Sequence, residues 1–542
     1  MVLLRRRSAR WTLALLAATT LALVGCSDDD SASTTTTTRP TTTTAPPSTT
    51  APPEAAEPLP VAWVRQVGGP GDDELRSVTG RDDSVLGAGT TTGLAASTPP
   101  ASGATAAFVD VVAAADGTPT ATTQATQDRT AAANGIADGP DTGSSGTQGD
   151  AADTPSVTLA CGTTPSAPAA DRPVVGPAGG TDAWCASVGA DGALGPAQAV
   201  GSDLDDDVRS VAVHASRSDA AGSTTELGAY AVGRTVGLFP EAKDPTGGYL
   251  GEGDALVTRL DRSGAVQWAR QFGTTASDEA NAVTTSDDGD AIVGGSTEGR
   301  TDGDVGGTIG GVDAWMARID PRGNLRWLTQ FGSTAEDRAL AVASGGDPRR
   351  GTEIFVGAGT TGGAVGTSAS LGGTDALVSA FDASGRQLWA VQLGSTVEDR
   401  ATGVVVDGST VYVSGTTAGE IIGGQRISLT PSASPDPAGP DSSTTTAPDS
   451  SAPDTTAPPA GGGEDGFLAA IDAETGEVRW VAQFGSTGDE LVSSMTRTES
   501  GLIVLAGSTT GQLGTTPAAG GTDGFMIAFV PPSGGGGAAS MV

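Results

Sequence analysis

VQWARQFGTTASDEANAV, at Val266–Val283, is one copy of a phrase that recurs along the chain. Other copies read LRWLTQFGSTAEDRALAV at Leu325–Val342, QLWAVQLGSTVEDRATGV at Gln387–Val404 and VRWVAQFGSTGDELVSSM at Val478–Met495, and AWVRQVGGPGDDELRSV begins at Ala62. Repetition with a period of roughly 60 residues is the signature of a repeat architecture. Residues that recur with the phrase are therefore expected to serve the scaffold first.

A single repeat, from Asp278 to Phe331, contains four segments with the pattern of short strands. NAVTTS ends at an Asp-Asp-Gly turn signal, and DAIVGGST follows with an apolar centre. After a variable Gly-rich loop, DAWMARID alternates between apolar and polar residues, as a half-buried strand does. The turn PRGN then leads into LRWLTQF. Four antiparallel strands joined by turns make one blade of a β-propeller.

The third and fourth strands of this blade can be counted along the chain. Third strands are predicted at Ala107–Val112, Asp182–Val188, Asp254–Leu260, Asp313–Ile319, Asp375–Phe381, Asp465–Ile471 and Asp523–Phe529. Fourth strands are predicted to start near Ala62, Gly117, Ala193, Val266, Leu325, Gln387 and Val478, and most of them carry a tryptophan. The count predicts an all-β, seven-bladed propeller over residues 61–531, followed by a flexible tail at 532–542.

The phase of the repeats predicts how the ring closes. The series begins with a fourth strand, Ala62–Val67, and ends just after a third strand, Asp523–Val530. Both would have unpaired edges unless they met, and sheet edges are liabilities that folded proteins avoid. We therefore predict that the strand of Trp63 pairs with the strand of Phe525 and completes the last blade.

The repeats resemble the SBBP-type bacterial β-propeller repeat family. The matching residues are the Asp-Ala start of the third strand (Asp313-Ala314, Asp375-Ala376), the Asp-x-x-Gly turn (Asp320 to Gly323, Asp382 to Gly385), the tryptophan, and the Phe/Leu-Gly after it. The resemblance covers nearly all of Ala62–Val530 and is weakest around Thr120–Gly180. It implies a propeller on a surface or secreted bacterial protein and supplies no catalytic residues.

The N-terminus has the pattern of an export signal. Arg5, Arg6, Arg7 and Arg10 precede an apolar stretch, Leu13–Val24, that is too short to span a bilayer as a mature helix. The stretch ends in Leu-Val-Gly-Cys26, which resembles the bacterial lipobox; an ordinary signal peptide containing a cysteine is the alternative. The resemblance implies that Cys26 is lipidated and anchors the protein to the outside of the cell membrane.

The sequence contains two low-complexity tracts that are rich in Thr, Ala and Pro. Residues 27–60 are dominated by Thr, Ala and Pro and cannot bury apolar surface, so they are expected to form a disordered tether. A second tract of the same kind, at about 428–463, interrupts one repeat.

Charge and cysteine content narrow the possible partners. The formal net charge is −35 and Lys243 is the only lysine, which argues against a nucleic-acid partner because phosphates would be repelled. Besides Cys26, the chain has Cys161 and Cys185, an even pair in an exported protein. They are predicted to form a disulfide within one blade, with two free buried thiols as the alternative.

Acidic residues recur after the Gly-Ser-Thr turn, and their number favours a structural role. They are Asp72/Asp73/Glu74, Asp278/Glu279, Glu336/Asp337, Glu398/Asp399 and Asp489/Glu490. Cation binding is one interpretation, since hard ions prefer clustered oxygens. The favoured one is that one carboxylate caps backbone N–H groups in the turn while its neighbour is solvated. The aspartates that start the third strands are interpreted in the same way.

Other candidate site residues also favour the scaffold. The tryptophans could stack on carbohydrate, but one per blade indicates packing between blades; they are Trp268, Trp327, Trp389 and Trp480. His214, the only histidine, lies in a predicted inner strand without a nucleophile motif near it. The Asp-rich run Asp302–Gly306 lacks the glutamate of a Ca²⁺ loop and is interpreted as a plain loop. No catalytic residue, cofactor site or metal site is predicted.

A competing resemblance rests on one segment. Ile471–Trp480, read IDAETGEVRW, resembles the repeat of quinoprotein (PQQ) propellers, a fold that includes dehydrogenases. The other turns lack its Thr-Gly pair. The preferred function is a non-catalytic binding or scaffolding module for an envelope protein or glycan, monomeric and using the loops Thr235–Gly253, Thr361–Gly373 and Ile421–Gly463. The alternatives are a solute- or Ca²⁺-binding surface lipoprotein, and a PQQ-like enzyme or envelope hydrolase.

Overall fold

The computed structural model describes most of the predicted propeller. The described residues are 59–93, 105–124, 131–139, 157–164, 180–214, 228–239, 251–299, 310–347, 352–366, 369–427, 429, 463–515 and 517–532. Cys26, the predicted signal segment, the loop at 302–306 and nearly all of the predicted tether, insert and tail lie outside these ranges. Within them the chain forms strands and turns, and no helix in this part of the chain could span a membrane.

The strands form seven sheets, one for each blade, and confirm the predicted seven-bladed propeller. Blade 1 consists of β2 (Asp73–Arg81), β3 (Ser84–Thr91), β4 (Ala106–Ala113) and β5 (Pro119–Gln124). Blade 2 consists of β6 (Ala132–Asp138), β7 (Thr158–Thr164), β8 (Asp182–Val188) and β9 (Gln198–Val200). Blade 3 consists of β10 (Asp206–His214), β11 (Gly228–Thr235), β12 (Asp254–Leu260) and β13 (Val266–Phe272). Blades 4 and 5 consist of β14 (Asp278–Thr285), β15 (Ala291–Thr297), β16 (Asp313–Ile319) and β17 (Leu325–Phe331), and of β18 (Asp337–Asp347), β19 (Thr352–Thr361), β20 (Asp375–Asp382) and β21 (Gln387–Leu393).

Blades 6 and 7 complete the ring. Blade 6 contains β22 (Asp399–Asp407), β23 (Thr410–Thr417), β25 (Asp465–Asp472) and β26 (Val478–Phe484), and blade 7 contains β27 (Glu490–Arg497), β28 (Ile503–Thr509), β29 (Asp523–Phe529) and β1 (Val61–Val67). In every blade the first strand lies innermost, since first strands of neighbouring blades contact one another around the ring. The strand with the tryptophan is therefore the outermost one.

The ring closes as predicted. β1 pairs antiparallel with β29, and Trp63 lies opposite Ala528 while Gln66 lies opposite Phe525. Beside this ladder, the N–H of Val530 donates to the carbonyl oxygen of Pro60 at 2.9 Å. The first strand of the propeller thus occupies the outer position of the last blade.

Blade boundaries differ from the sequence prediction in three places. β5 begins at Pro119 rather than near Gly117, and β9 is only Gln198–Val200 rather than starting near Ala193. Pro196 precedes β9 and has no N–H to donate to a ladder, which accounts for the late start. Blade 6 has a fifth strand, β24 (Gln425–Arg426), which pairs in parallel with β26 and was not predicted.

The apolar core consists of seven clusters, and each one joins two neighbouring blades. In the cluster between blades 4 and 5, for example, Met316 and Phe331 of one blade pack with Phe355 and Leu377 of the next. The central strands are buried on both faces, so they carry unbroken apolar or small residues; β16 is buried along its whole length. Each blade therefore depends on its neighbours, as expected of a repeat fold.

Tryptophan links neighbouring blades, which confirms its predicted packing role. The Nε1–H of Trp327 donates to the carbonyl oxygen of Ala383 in the next blade at 3.1 Å. The indole also covers Gly385, whose positive φ of 82° closes the Asp-x-x-Gly turn. Equivalent hydrogen bonds join Trp63 to Ala114, Trp268 to Pro321 and Trp389 to Ala473.

In blade 2, whose outermost strand lacks the tryptophan, a disulfide joins two neighbouring strands. Cys161 on β7 lies directly opposite Cys185 on β8, and their sulfur atoms are bonded. Both cysteines are fully buried in the cluster between blades 2 and 3. The outermost strand of this blade is short, so the disulfide is a covalent link within the least regular repeat.

Candidate binding face and central channel

The recurring acidic residues hold the turns between blades. Asp337 Oδ2 accepts hydrogen bonds from the N–H and the hydroxyl of Ser333 at 2.6 and 3.1 Å. Asp399 and Glu490 bind Ser395 and Ser486 in the same way. One carboxylate of each pair therefore caps the turn, as the structural interpretation predicted. The other half of that interpretation is wrong in places, because Glu279 is not simply solvated but is bound by Arg209.

The aspartates at the start of the third strands have a different partner, which the sequence interpretation missed. In five blades a glutamine of the outermost strand donates Nε2–H to this aspartate and to a glycine carbonyl oxygen in the preceding loop. The glutamines and aspartates are Gln66 and Asp523, Gln271 and Asp254, Gln330 and Asp313, Gln392 and Asp375, and Gln483 and Asp465. The signal was visible, since each glutamine directly precedes the recurring Phe/Leu/Val-Gly.

The innermost strands line a central channel with a cavity of about 380 Å³. Every one of these seven strands has a β-bulge near its start, where one residue is skipped in the ladder. The skipped residues are Arg76, Asn134, Arg209, Asn281, Leu340, Thr402 and Ser493. All seven line the channel, and we call them the bulge ring. A bulge re-aims a side chain and is common next to functional sites.

Members of the bulge ring bond to the neighbouring blade. Arg76 donates to Asn134 Oδ1 at 2.9 Å, and Asn134 in turn donates to the carbonyl oxygen of Val208 at 2.8 Å. Asn281 donates to Ala339 and Thr402 to Val492 in the same direction. These bonds replace the ladder that the innermost strands of different blades cannot form. Hydrogen bonds thus tie several ring residues to the next blade, although the residues differ from blade to blade.

Charge is concentrated on one half of the ring. Arg209 binds Glu279 at 2.8 Å, Asn281 at 2.6 Å and Asp207 at 3.2 Å. Burial opposes the charge on Arg209, but its bond to Glu279 and the charge of Asp207 outweigh this effect and raise the pKa of Arg209. Burial also disfavours the charged form of Glu279 and by itself would raise the pKa of this carboxyl. The hydrogen bond from Arg209 more than reverses this effect, so the pKa of Glu279 is lowered. The half formed by Leu340, Thr402 and Ser493 carries no charge.

A single carboxylate lines the channel near its other end. Asp138, at the end of β6, accepts a hydrogen bond from the hydroxyl of Thr158. Burial raises the pKa of Asp138 to about 6, and the charges of Asp82 and Glu499 add to the rise while Thr158 and Arg81 oppose it. Asp138 therefore changes its charge in mildly acidic solution.

The two ends of the propeller differ in what they display. One end, the loop face, carries the bulge ring and the connections between second and third strands. The three variable loops predicted as a ligand surface are connections of this kind, at residues 236–253, 362–374 and 418–464. Part of each lies outside the described residues. The opposite end, the turn face, carries the tight turns and His214, which ends β10 against Gly289 of the next blade.

The described residues do not form a cluster of metal-ligating side chains of the usual size. No group of three or more His, Cys, Asp or Glu residues is placed to hold a metal ion in this part of the chain. The features that recur between blades are engaged in the contacts described above. What varies from blade to blade lies on the loop face and in the bulge ring.

Comparisons with known proteins give little beyond the fold. No family model matches the chain. The regulatory protein FlaEY of Caulobacter vibrioides is 28% identical over 198 residues, which cover 34% of this chain and 20% of that protein. The chain thus spans a small part of the length of this curated relative.

Solved structures with similar folds come from proteins with unrelated activities. Drosophila Plexin A, in complex with Semaphorin 1b, has a TM-score of 0.40 and 10% identity over 87% of each chain. BamB of Moraxella catarrhalis has a TM-score of 0.30 and 12% identity over 85% of this chain and 97% of its own. The quinohemoprotein alcohol dehydrogenase of Comamonas testosteroni has a TM-score of 0.32 and 9% identity over 86% of this chain and 76% of its own. At these values the likenesses carry no inference about ligand or activity.

Proposed function

We propose that this protein is a non-catalytic binding or scaffolding module that recognises an envelope protein or glycan through its loop face. The observation that carries the proposal is the bulge ring: seven bulges aim seven side chains into one channel mouth, and these side chains are not the same residue in every blade. Positions that serve only the fold recur in this chain, as the Trp, Gln and Asp series do. A position that the fold places in the same way in every blade, but that carries different residues, is suited to recognition.

The chemistry of the ring suits a polar, asymmetric ligand. Arg76 lines the channel, is partly exposed and pairs with Glu74 at 3.1 Å, so a donor and an acceptor lie side by side near the start of β2. Leu340, Thr402 and Ser493 line the opposite half with an apolar group and two hydroxyls. Exposed apolar side chains, Leu204 and Leu238, lie in connections of blade 3 on the same face. Such a mixture is typical of surfaces that bind proteins or glycans.

The proposal includes the cellular location of the protein. We propose that Cys26 is lipidated and that the Thr/Pro-rich tether holds the propeller away from the membrane, as an SBBP-type surface lipoprotein would require. The export signal, the Cys161–Cys185 disulfide and the acidic composition all support an extracytoplasmic location. The description of FlaEY as a regulatory protein favours binding over catalysis, although the match covers a fifth of that protein.

Cross-linking in intact cells of the natural host tests the proposal. Tagged full-length protein would be compared with Arg76→Ala and Ser493→Ala in the bulge ring, and with Arg386→Ala, an exposed residue of the turn face, as the matched control. We expect one protein or glycan to be captured by the wild type and by Arg386→Ala and to be reduced at least about tenfold by the ring variants, a loss of about 1.4 kcal/mol in binding. Capture that is equal in all variants would overturn the assignment to the loop face.

A further inference from the structure

Carboxylates from neighbouring blades meet in pairs at six of the seven junctions. Each pair joins the aspartate that starts a third strand to the acidic residue that starts the innermost strand of the next blade. The pairs are Asp523 and Asp73, Asp182 and Asp206, Asp254 and Asp278, Asp313 and Asp337, Asp375 and Asp399, and Asp465 and Glu490. These are not the adjacent acidic residues of the sequence but residues that only the ring brings together.

The pair at the ring closure is deeply buried. Asp523 is 1% exposed, and its Oδ2 accepts hydrogen bonds from Gln66 Nε2 at 2.9 Å and from the N–H of Ala519 at 2.7 Å. Its Oδ1 accepts no hydrogen bond from the described residues. This oxygen lies 2.2 Å, and Asp73 Oδ2 3.2 Å, from the point where a side chain on Gly68 would begin. The two oxygens therefore lie no more than about 5.5 Å apart, a distance at which buried like charges repel strongly.

The junction between blades 5 and 6 repeats this geometry. Asp375 is fully buried, its Oδ2 accepts the N–H of Leu371 at 2.9 Å, and its Oδ1 accepts no hydrogen bond from the part of the chain described. Asp375 Oδ1 and Asp399 Oδ2 lie 2.9 and 2.8 Å from the point where a side chain on Gly394 would begin. The same arrangement thus occurs at two junctions that are two blades apart, so it is not particular to the closure.

The junction between blades 6 and 7 differs from the closure in having a basic side chain beside its carboxylates. Between blades 6 and 7, Arg426 of the extra strand β24 lies 2.9 Å from Asp465 Oδ2. At the closure, the charges that act on Asp73 are those of Asp523 and Asp72, and both are negative. Burying a carboxylate is costly unless it is paired, and two facing carboxylates raise that cost.

We propose that the Asp523–Asp73 and Asp375–Asp399 junctions each bind a hard divalent cation, Ca²⁺. Ca²⁺ prefers oxygen ligands, and each junction supplies two carboxylates and an otherwise unsatisfied buried oxygen. Backbone carbonyl oxygens and water complete such shells in flexible sites. Gly68 and Gly394 keep the space beside the oxygens open, because any side chain there would contact both carboxylates. A cation at Asp523 and Asp73 would fasten the last blade to the first.

The proposal is tested by metal content and thermal stability of purified full-length protein freed of metal and then dialysed against Ca²⁺. We expect two equivalents to bind with Kd on the order of 10⁻⁴ to 10⁻³ M, the range of extracellular modules. Saturation is expected to raise the melting temperature by on the order of 5 °C. Asp523→Asn and Asp375→Asn should each remove one equivalent. Asp288→Asn, which removes an exposed carboxylate of the turn face, is the matched control and should remove none.

A second kind of variant protects the test against misfolding. Gly394→Ala leaves every charge in place and fills the space beside Asp375 and Asp399, so it should remove one equivalent without changing net charge. Absence of bound Ca²⁺ in the wild type at a concentration of about 1 mM would overturn the proposal. A melting temperature that does not change with Ca²⁺ but rises as the pH falls would also overturn the proposal. Each pair of carboxylates would then be held together by a shared proton rather than by a cation. Partner capture by the loop face is independent of either result.

Discussion

Gln66 and Asp523, near opposite ends of the propeller sequence, are joined by a hydrogen bond of 2.9 Å from Nε2 to Oδ2. The same bond joins Gln271 to Asp254 and Gln483 to Asp465 inside blades whose strands are continuous in sequence. Gln66 also donates to Gly511 and accepts the N–H of Leu513, so it fixes the loop before β29. The closure therefore reproduces the chemistry of an ordinary blade rather than relying on strand pairing alone.

Removing this side chain tests how much the closure depends on it. Gln66→Ala leaves the Leu513 N–H without its acceptor and removes one of the donors to Asp523 Oδ2, and we expect a loss of roughly 1–3 kcal/mol in the free energy of unfolding. Gln392→Ala, which removes the equivalent bonds in blade 5, is the matched control. Urea denaturation measures both losses. Hydrogen exchange of β1 should accelerate only in Gln66→Ala, and equal protection of β1 in both variants would contradict this role.

Arg65 and Asp110 test the contact between the last and first blades. Arg65 binds Asp110 through two hydrogen bonds of 2.8 and 2.9 Å, and the Asp110 side chain is fully buried. Arg65→Ala leaves a buried carboxylate without its cation, so a loss of roughly 3–5 kcal/mol is expected in denaturant unfolding. The double variant with Asp110→Asn should recover part of this loss. A single variant as stable as the wild type would show that water replaces the guanidinium.

The Trp–Gly contact between blades separates two effects of glycine. Gly385 and Gly408 both have positive φ, at 82° and 57°, but only Gly385 is covered by the indole of Trp327. Gly408→Ala is expected to cost about 1 kcal/mol in stability from backbone conformation alone. Gly385→Ala should cost roughly 2–4 kcal/mol, because the new methyl group meets the ring. Thermal unfolding of the two variants measures the difference, and equal losses would argue that the indole moves freely.

Asp138 predicts a dependence of stability on pH. Its pKa is about 6 in the folded protein and near 3.8 when unfolded, so the folded state binds the proton more tightly. Its contribution is therefore fully present below pH 4 and is lost as the pH rises to about 6. Because the group is partly screened, we expect a change on the order of 1 kcal/mol. Asp138→Asn should flatten the free energy of unfolding over this range, and Asp288→Asn should leave the slope unchanged.

The scaffold could be predicted from sequence because its residues recur. The seven third strands were placed within a residue or two, and the closure followed from the phase of the series. The Gln66 series is also periodic, since each glutamine stands two residues before the recurring glycine, but glutamine has no turn or strand signature that would mark its role. The Cys161–Cys185 bond agrees with the predicted strand neighbours.

The channel could not be predicted, because no local pattern marks it. A bulge at Arg76 or Leu340 depends on the register of the neighbouring strand, and the seven positions share no residue type. Asp523 and Asp73 are separated by almost the whole propeller, and only the closed ring places them together. The role of Cys26 remains a prediction from its sequence pattern.

The position of β1 also sets the order of events during synthesis. Among the described strands Val61–Val67 is made first, yet its partner, Asp523–Phe529, is made last. At about 5–20 residues per second, translation separates the two strands by roughly 20–90 s. During that interval the apolar side chains of Val61, Trp63 and Val67 have no blade to enter. A chain that stops before Asp523 leaves the first strand without its partner, so the pairing of the first strand reports whether the last blade has been made.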